Sequence, residues 1–587
     1  MTTSTTFSFG DVLLDCANPG DWTLRLAREC APDGAELLRI ALDAPVPCAP
    51  PEFTVRFLVP QKGLSYQWRL NDGCRSMLPE WGSETFSQLT VNMPLYVYHD
   101  GEETSHLSLA ASECARRVRF VGGIREEGSL LNVRFAFFTE PEAPLSHYET
   151  ALRIDTRPAF FGDAIRAASR WILDEAGYEP CAVPAAALDP LYSSWYNFHQ
   201  DVHAADLEAE LAIAADLGMK TLIVDDGWQT DDTNRGYAFC GDWQVSRNRF
   251  PDMRAHVAKA HALGFRYMVW YSVPYMGLKS ANHERFRGKF LIDEDRRMGT
   301  SVLDPRFPEV RQFLVDTYVR ALREWDIDGF KLDFIDAFRF EGEDPAKRDN
   351  YAGRDIPNVQ HAVDRLMEEV RAALTAIKPD ILIEFRQRYN GPAIRKYGNM
   401  FRVGDCPGDL VRNRVAIADM RLALDGSAIH SDMLEWNFGE TPERAALFVL
   451  NSIFGVVQYS IMLREAPQAH LDMIRHWIAF SQAHRDTLLH GRFSPRHPEL
   501  QYPLLEAESE AKRILGVYDP GRCVDCGAMD RTVYVLNATE ATSLVLDLRA
   551  AVQAEAFDTF GKSTGKTNVA AGLQRVACPA GGYVVLR

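Results

Sequence analysis

Basic residues are in the minority. The chain has 64 Lys and Arg against 81 Asp and Glu, a formal net charge of −17 at pH 7. Nucleic-acid binding needs a basic footprint and an anionic membrane surface attracts polybasic segments, so neither partner is expected. The N-terminus, MTTSTTFSFGDVLLD, lacks the basic and apolar regions of a secretory signal. Long apolar runs are missing too. The least polar stretch, 445–463, holds Asn451, Ser452, Gln458 and Ser460 and is broken by Gly455, so it reads as a buried helix followed by a buried strand. There is no GxGxxG, no P-loop and no GxSxG elbow, which removes support for dinucleotide, nucleotide and serine-esterase chemistry. The eleven cysteines are scattered, as reduced cytoplasmic cysteines are. Cys523 and Cys526 form a lone CxxC without further partners, and His199 and His203 an HxxxH without further ligands. The expectation is a cytoplasmic protein with no metal and no cofactor.

What is present divides the 587 residues into three parts. Residues 1–160 carry short runs of alternating polarity, such as FTVRFLVP (53–60) and LLNVRFAFF (130–138), separated by Gly, Pro, Asn and Asp. That pattern predicts a β-sandwich. Between 161 and 490 a lead-in helix (162–177) precedes apolar runs that alternate with stretches of helical period. The strand candidates are 191–197, 220–226, 265–271, 328–334, 380–386, 399–405, 427–433 and 455–463. Eight strand–helix units predict an α/β fold, a (β/α)₈ TIM barrel. Residues 491–587 return to strand-like runs and predict a small C-terminal β domain.

A barrel of this kind places its chemistry at the carboxyl ends of its strands. Those ends carry Trp195, Tyr196 and Asn197; Asp225 and Asp226; Trp270 and Tyr271; Lys331 and Asp333; Glu384, Arg386 and Arg388; Asp405; and His430 with Asp432. Carboxylates accept hydrogen bonds from sugar hydroxyls, and indole rings cover the apolar face of a pyranose. Acetal cleavage then needs two carboxyl groups at one anomeric centre. Lys331 and Asp333 are two apart on a strand and face the barrel axis, while Phe330, Leu332 and Phe334 are expected to face the helices. This pairing is open to two readings, a buried salt bridge or a nucleophile kept ionised by the ammonium; the second is favoured. His430 reads as a satisfied core histidine. Asp232, Asp304 and Asp336 read as turn or capping residues.

Five segments together resemble glycoside hydrolase family 36, the α-galactosidases and raffinose-synthase-like proteins. They are WYNFHQDV (195–202), DDGWQ (225–229), GDWQVSRNRFP (241–251), FKLDF (330–334) and FRVGDCPGD (401–409). The resemblance implies a sandwich, a barrel and a C-terminal β domain, and a retaining mechanism acting on α-galactosides or related α-hexosides. It makes Asp333 the nucleophile and Asp405 the acid/base. Asp225 and Asp226 would bind the hydroxyls at C4 and C6 and Lys331 the C3/C4 side. Trp243 and Trp195 would wall the sugar, with Trp270, Arg386 and Arg402 counted among the substrate-binding residues. A retaining pair stands about 5–5.5 Å apart, and the acid must be protonated before attack, so Asp405 is expected to titrate above about 3.9. A transglycosylase and a non-catalytic sugar-binding barrel are the alternatives, the substrate is an oligosaccharide or glycoside, and a homo-oligomer is left open. The chain departs from the family after its fifth strand. There EFRQRYNGP (384–392) replaces the Cys- and Gly-rich turn common in bacterial members, and Arg386, Arg388 and Arg402 are expected either to pair with Glu384, Asp409 or Asp432 or to read a substituent on the substrate.

Overall fold

A computed structural model describes residues 4–9, 12–82, 84–386 and 389–587. At its centre eight parallel strands form a near-closed barrel. They are β1 (Leu191–Ser193), β2 (Thr221–Val224), β3 (Arg266–Ser272), β4 (Gly329–Asp333), β5 (Leu382–Arg386), β6 (Met400–Arg402), β7 (Ala428–His430) and β8 (Gln458–Tyr459). Each pairs with its sequence neighbour, β1 also pairs with β8, and a bridge from His430 to Val456 brings the sheet's two ends together. Seven of the eight fall inside a predicted segment, and β3 runs one residue past its own, to Ser272. The strands are covered on both faces, which is why a run such as TLIV in β2 is apolar and buried throughout.

Helices α1 (Ala204–Leu217), α2 (Met253–Ala262), α3 (Pro308–Trp325), α4 (Val359–Thr375), α5 (Leu410–Ala423), α6 (Pro442–Ser452) and α7 (Gln468–Ala483) form the outer layer. Gly218 ends α1 in the left-handed conformation. Asp409 caps α5 by accepting from the Arg412 amide. Among the described residues the eighth helix is absent, and a 3₁₀ turn, Pro392–Lys396, stands between β5 and β6. The lead-in helix, Phe161–Ala176, takes that place. Ser169 donates to the Ala423 carbonyl of α5, the Cys181 amide donates to Arg395 in the 3₁₀ turn, and the Tyr178 hydroxyl donates to Asp364 of α4.

Before the barrel, a six-stranded and a seven-stranded sheet share one apolar core that includes Val55, Phe57, Val133 and Phe135 with Leu38, Ile40, Tyr98 and Leu109. After it, a seven-stranded and a three-stranded sheet enclose a second core around Leu515, Val533, Leu546 and Val584. The fold is therefore a TIM barrel flanked by an N-terminal β-sandwich and a C-terminal β domain. A small three-stranded sheet (275–303) is inserted after β3.

One buried cluster joins all three parts. Both carboxylate oxygens of Asp419 on α5 accept from Arg75 Nη2, at 2.7 and 2.6 Å, and Oδ1 also accepts from Trp68 Nε1 at 2.8 Å and from the Tyr502 hydroxyl at 2.6 Å. Trp68 and Arg75 belong to the sandwich region and Tyr502 follows the barrel. The same sandwich segment reaches the loop after β5, where Asn71 and Asn390 exchange two amide hydrogen bonds of 3.0 and 2.9 Å. Beside them the Asn92 carbonyl lies so close to Gly391 that a Cβ there would stand 2.2 Å away, so only glycine fits.

Candidate active site

The parallel register sets the site. Trp270 lies opposite Lys331, Lys331 opposite Glu384, and Arg386 opposite Arg402. Lys331 and Asp333 are buried and face the barrel interior, while Phe330 packs on Tyr318 of α3. Phe334 departs from the expected alternation. The strand ends at Asp333, and Phe334 turns to φ 63°, so its ring packs on Tyr275, Tyr237 and Arg386 at the rim instead of the helix layer. A bulky residue with positive φ is strained, and its amide is thereby aimed back at Asp333 Oδ1, 2.7 Å away.

Asp333 is ringed by donors. Trp270 Nε1 donates to Oδ2 at 3.0 Å and Arg386 Nε to Oδ1 at 2.6 Å, and the Tyr389 hydroxyl also donates to Oδ1. Burial pushes its pKa up, but the Arg386 and Lys331 charges and these hydrogen bonds outweigh that and hold the carboxyl below its usual range. The Lys331 ammonium donates to Asp225. Asp226 accepts from Gln200 at 2.7 Å and Gln229 at 2.6 Å, yet burial with Asp225 beside it raises its pKa to about 7. Gly227 allows this packing: a Cβ there would meet the Gln200 backbone at 2.6 Å.

Asp405 lies just past β6 with 44% of its side chain exposed. Arg386 Nη1 donates to it at 2.9 Å and Arg402 Nη2 at 2.8 Å. One Arg386 guanidinium thus bonds both Asp333 and Asp405, and two such bonds to one planar group keep the carboxylate oxygens within roughly 8 Å of each other. The expected elevation of the Asp405 pKa is not found. Partial withdrawal from water pushes it up, but Arg402 and Arg386 hold it far below the usual carboxylate range. Arg402 also donates to buried Asp432, which accepts from the Tyr196 hydroxyl at 2.7 Å and the Cys406 amide at 2.6 Å. Two arginines side by side on neighbouring strands repel, and the carboxylate of Asp405 between them is what reconciles them.

The other candidates fall as follows. Trp195 sits in a helical turn after β1, partly exposed, edge-on to His199 at 4.9 Å. Trp243 is buried behind Trp270 and Tyr271 in an aromatic cluster with Trp228, so its ring serves the wall's backing and not its face. His430 is a core histidine: Nε2 meets the Ala187 carbonyl, and burial lowers its pKa to about 4. Glu384 accepts from Gln458 at 2.6 Å, and its Oε1 has no hydrogen-bond partner. Asp232 forms a turn with Asn234, whereas Asp304, read as a turn residue, is fully buried and pairs with Arg306 and Arg354 as well. Arg388 lies outside the described residues. Among the described residues no group of three or more His, Cys, Asp or Glu is placed to hold a metal ion.

Residues 187–384 match the Melibiase family model. The chain is 26% identical over 176 residues to a Flavonifractor plautii "A type blood alpha-D-galactosamine galactosaminidase", covering 27% of this chain and 15% of that protein. It is 26% identical over 148 residues to alpha-galactosidase 1 of Pediococcus pentosaceus, covering 24% and 20%. These alignments therefore span about a fifth or less of each relative. The fold is similar to that of an alpha-galactosidase from Lactobacillus brevis, with TM-score 0.64 and 14% identity over 99% of this chain and 83% of that one. The GH36 alpha-galactosidase AgaA of Geobacillus stearothermophilus gives 0.65 and 13% over 99% and 84%. Residues 187–384 thus match a Melibiase domain, and the chain as a whole has the fold of the α-galactosidases it is similar to.

The family 36 resemblance carried the strand-end carboxylates, but four residues escaped it. Tyr389, Gln200, Gln229 and Tyr237 all sit on loops, where no periodicity marks them. Tyr389 bonds Asp333, the two glutamines bond Asp226, and Tyr237 packs on Trp270. The glutamines were within quoted segments, so their positions beside DDGWQ were the available signal.

Proposed function

We propose that the protein hydrolyses terminal α-galactosides, or closely related α-hexosides, with retention of configuration. The observation that carries this reading is the pair Asp333, at the end of β4, and Asp405, just past β6, bonded to Nε and Nη1 of one guanidinium at the mouth of a melibiase-type barrel. Relatives named as α-galactosidases support the sugar class, as does a family 36 α-galactosidase variant solved with raffinose. Asp405 gives a proton to the glycosidic oxygen while an Asp333 oxygen attacks the anomeric carbon, and the carbon–oxygen bond to the leaving group breaks. Water then gives a proton to Asp405 and its oxygen to the anomeric carbon, releasing Asp333. Asp225, Asp226 and Lys331 supply hydroxyl partners, and Trp270 orients the nucleophile while closing one side.

Hydrolysis of aryl α-galactoside, α-glucoside and α-N-acetylgalactosaminide tests the sugar, and proton NMR of the first product tests the stereochemistry. Retention gives the α-anomer first. Asp333→Ala is expected to lower kcat by several orders of magnitude with the fold intact. A β first product, or substantial turnover by that variant, defeats the reading.

A further inference from the structure

We propose that Arg386 is a displaceable counter-ion, a positioning residue that fills the gap between Asp333 and Asp405 in the ligand-free protein and that an arriving sugar breaks away from both. This rests on the proposed reaction, in which the anomeric carbon and the leaving oxygen lie between the two carboxyl groups. That interval is where the guanidinium is now. Its Nε holds Asp333 at 2.6 Å, its Nη1 holds Asp405 at 2.9 Å, and its face rests 5.2 Å from the Phe334 ring centre. A pyranose and this side chain cannot share the space. Arg402 differs: it is anchored from behind by buried Asp432 and stays.

Displacement changes the charge on both acids in the direction the reaction requires. Asp333 loses a hydrogen-bonding cap on Oδ1 and keeps Trp270 on Oδ2. Asp405 loses its Arg386 partner and gains an uncovered negative charge opposite it, so it takes up a proton from solvent. Among the described residues, the groups that face Asp405 include Arg402 on its own segment, Arg386 from β5, Lys331 from β4 and Tyr196 after β1, with Asp432 behind Arg402. Of these, Arg386 is the one that a bound sugar moves. When Asp333 becomes glycosylated its charge disappears, and Arg402, which has stayed on Asp405, favours the carboxylate that the second step needs as a base. The ligand-free protein therefore rests with both acids ionised, and sugar binding itself loads the acid.

The test compares pH profiles of kcat and kcat/KM for wild type, Arg386→Gln and Arg386→Lys on the best α-hexoside. The profile of kcat/KM reports the free enzyme and that of kcat the complex. In wild type the alkaline limb of kcat/KM should lie about one to three pH units below that of kcat. Arg386→Gln should close most of that gap. Arg386→Lys, a point charge that reaches one carboxylate, should fall between. Calorimetry of D-galactose binding in two buffers of different ionisation enthalpy should show proton uptake by wild type and not by Arg386→Gln. Coincident limbs in wild type, an unchanged gap in Arg386→Gln, inactivity of both variants at every pH, or galactose binding without proton uptake overturns the proposal. Proton-coupled galactose binding without turnover keeps this inference and sinks the hydrolase reading. Turnover without a gap does the reverse, and neither binding nor turnover sinks both.

Discussion

Arg75 with Asp419 and Arg386 with Asp333 are the same two groups in two settings. Around Asp419 the donors come from the sandwich segment and from beyond the barrel, and Arg75, Trp68 and Tyr502 together enclose the buried carboxylate. Around Asp333 the donors come from β3, β5 and the loop after β5, and the chain of charges runs on through Asp405, which opens to solvent. Polar atoms without partners border the second network, at Glu384 Oε1 and Arg402 Nε. A satisfied buried network fixes a structure, while one that ends at the surface with unused capacity can accept a ligand. The first arrangement is a joint and the second a site, although their residue types are alike.

The sharpest way to break this contrast is Asp419→Ala. It leaves Arg75 buried without its carboxylate and should cost about 3–5 kcal/mol, read as a fall in the urea midpoint, with kcat per folded molecule within about twofold of wild type. A large loss of kcat with stability unchanged would reverse the assignments of joint and site. Asp226 offers a subtler probe. Its pKa is raised from an ordinary 3.8 to about 7, so between those values the folded state holds a proton that the unfolded state has released. Stability should therefore fall as pH rises from about 4 to 7, and Asp226→Asn should flatten that slope in chemical denaturation. In the active protein KM should also improve above pH 7, when the ionised carboxylate accepts hydroxyl hydrogen bonds, and the variant should lose this dependence. The smallest effect is expected at Asn71, on the segment that serves both networks. Asn71→Ala removes the amide pair with Asn390, worth about 1 kcal/mol, and should lower kcat a few-fold through Tyr389. An unchanged kcat would mean that the sandwich supports the barrel without steering its loop.

Much of the fold was legible because barrel strands announce themselves. Apolar runs of strand length, each followed by a helical period, could be counted, and all eight strands lie where the count put them. The missing eighth helix was not legible, since an apolar lead-in stretch at 162–177 looks the same whether it precedes a barrel or completes one. In the site, strand-end residues were readable from position alone. Charge state was not. The pKa of Asp405 depends on two arginines whose side chains converge only in three dimensions, and a family expectation pointed the other way. Trp243 illustrates the same limit: a tryptophan in a sugar-binding segment can back the wall and leave its face to a neighbour, here Trp270.

The lead-in helix bears on how the molecule is made. Residues 161–176 leave the ribosome before any barrel strand, yet their seat is formed by segments from 392 to 423. The first turn of the outer wall to be synthesised must wait for strands five and six, held meanwhile against the sandwich. Barrel assembly is then vectorial, with an early-born helix acting as the keystone set last, and a ribosome stalled before residue 392 would carry that apolar face unsheltered on its barrel side.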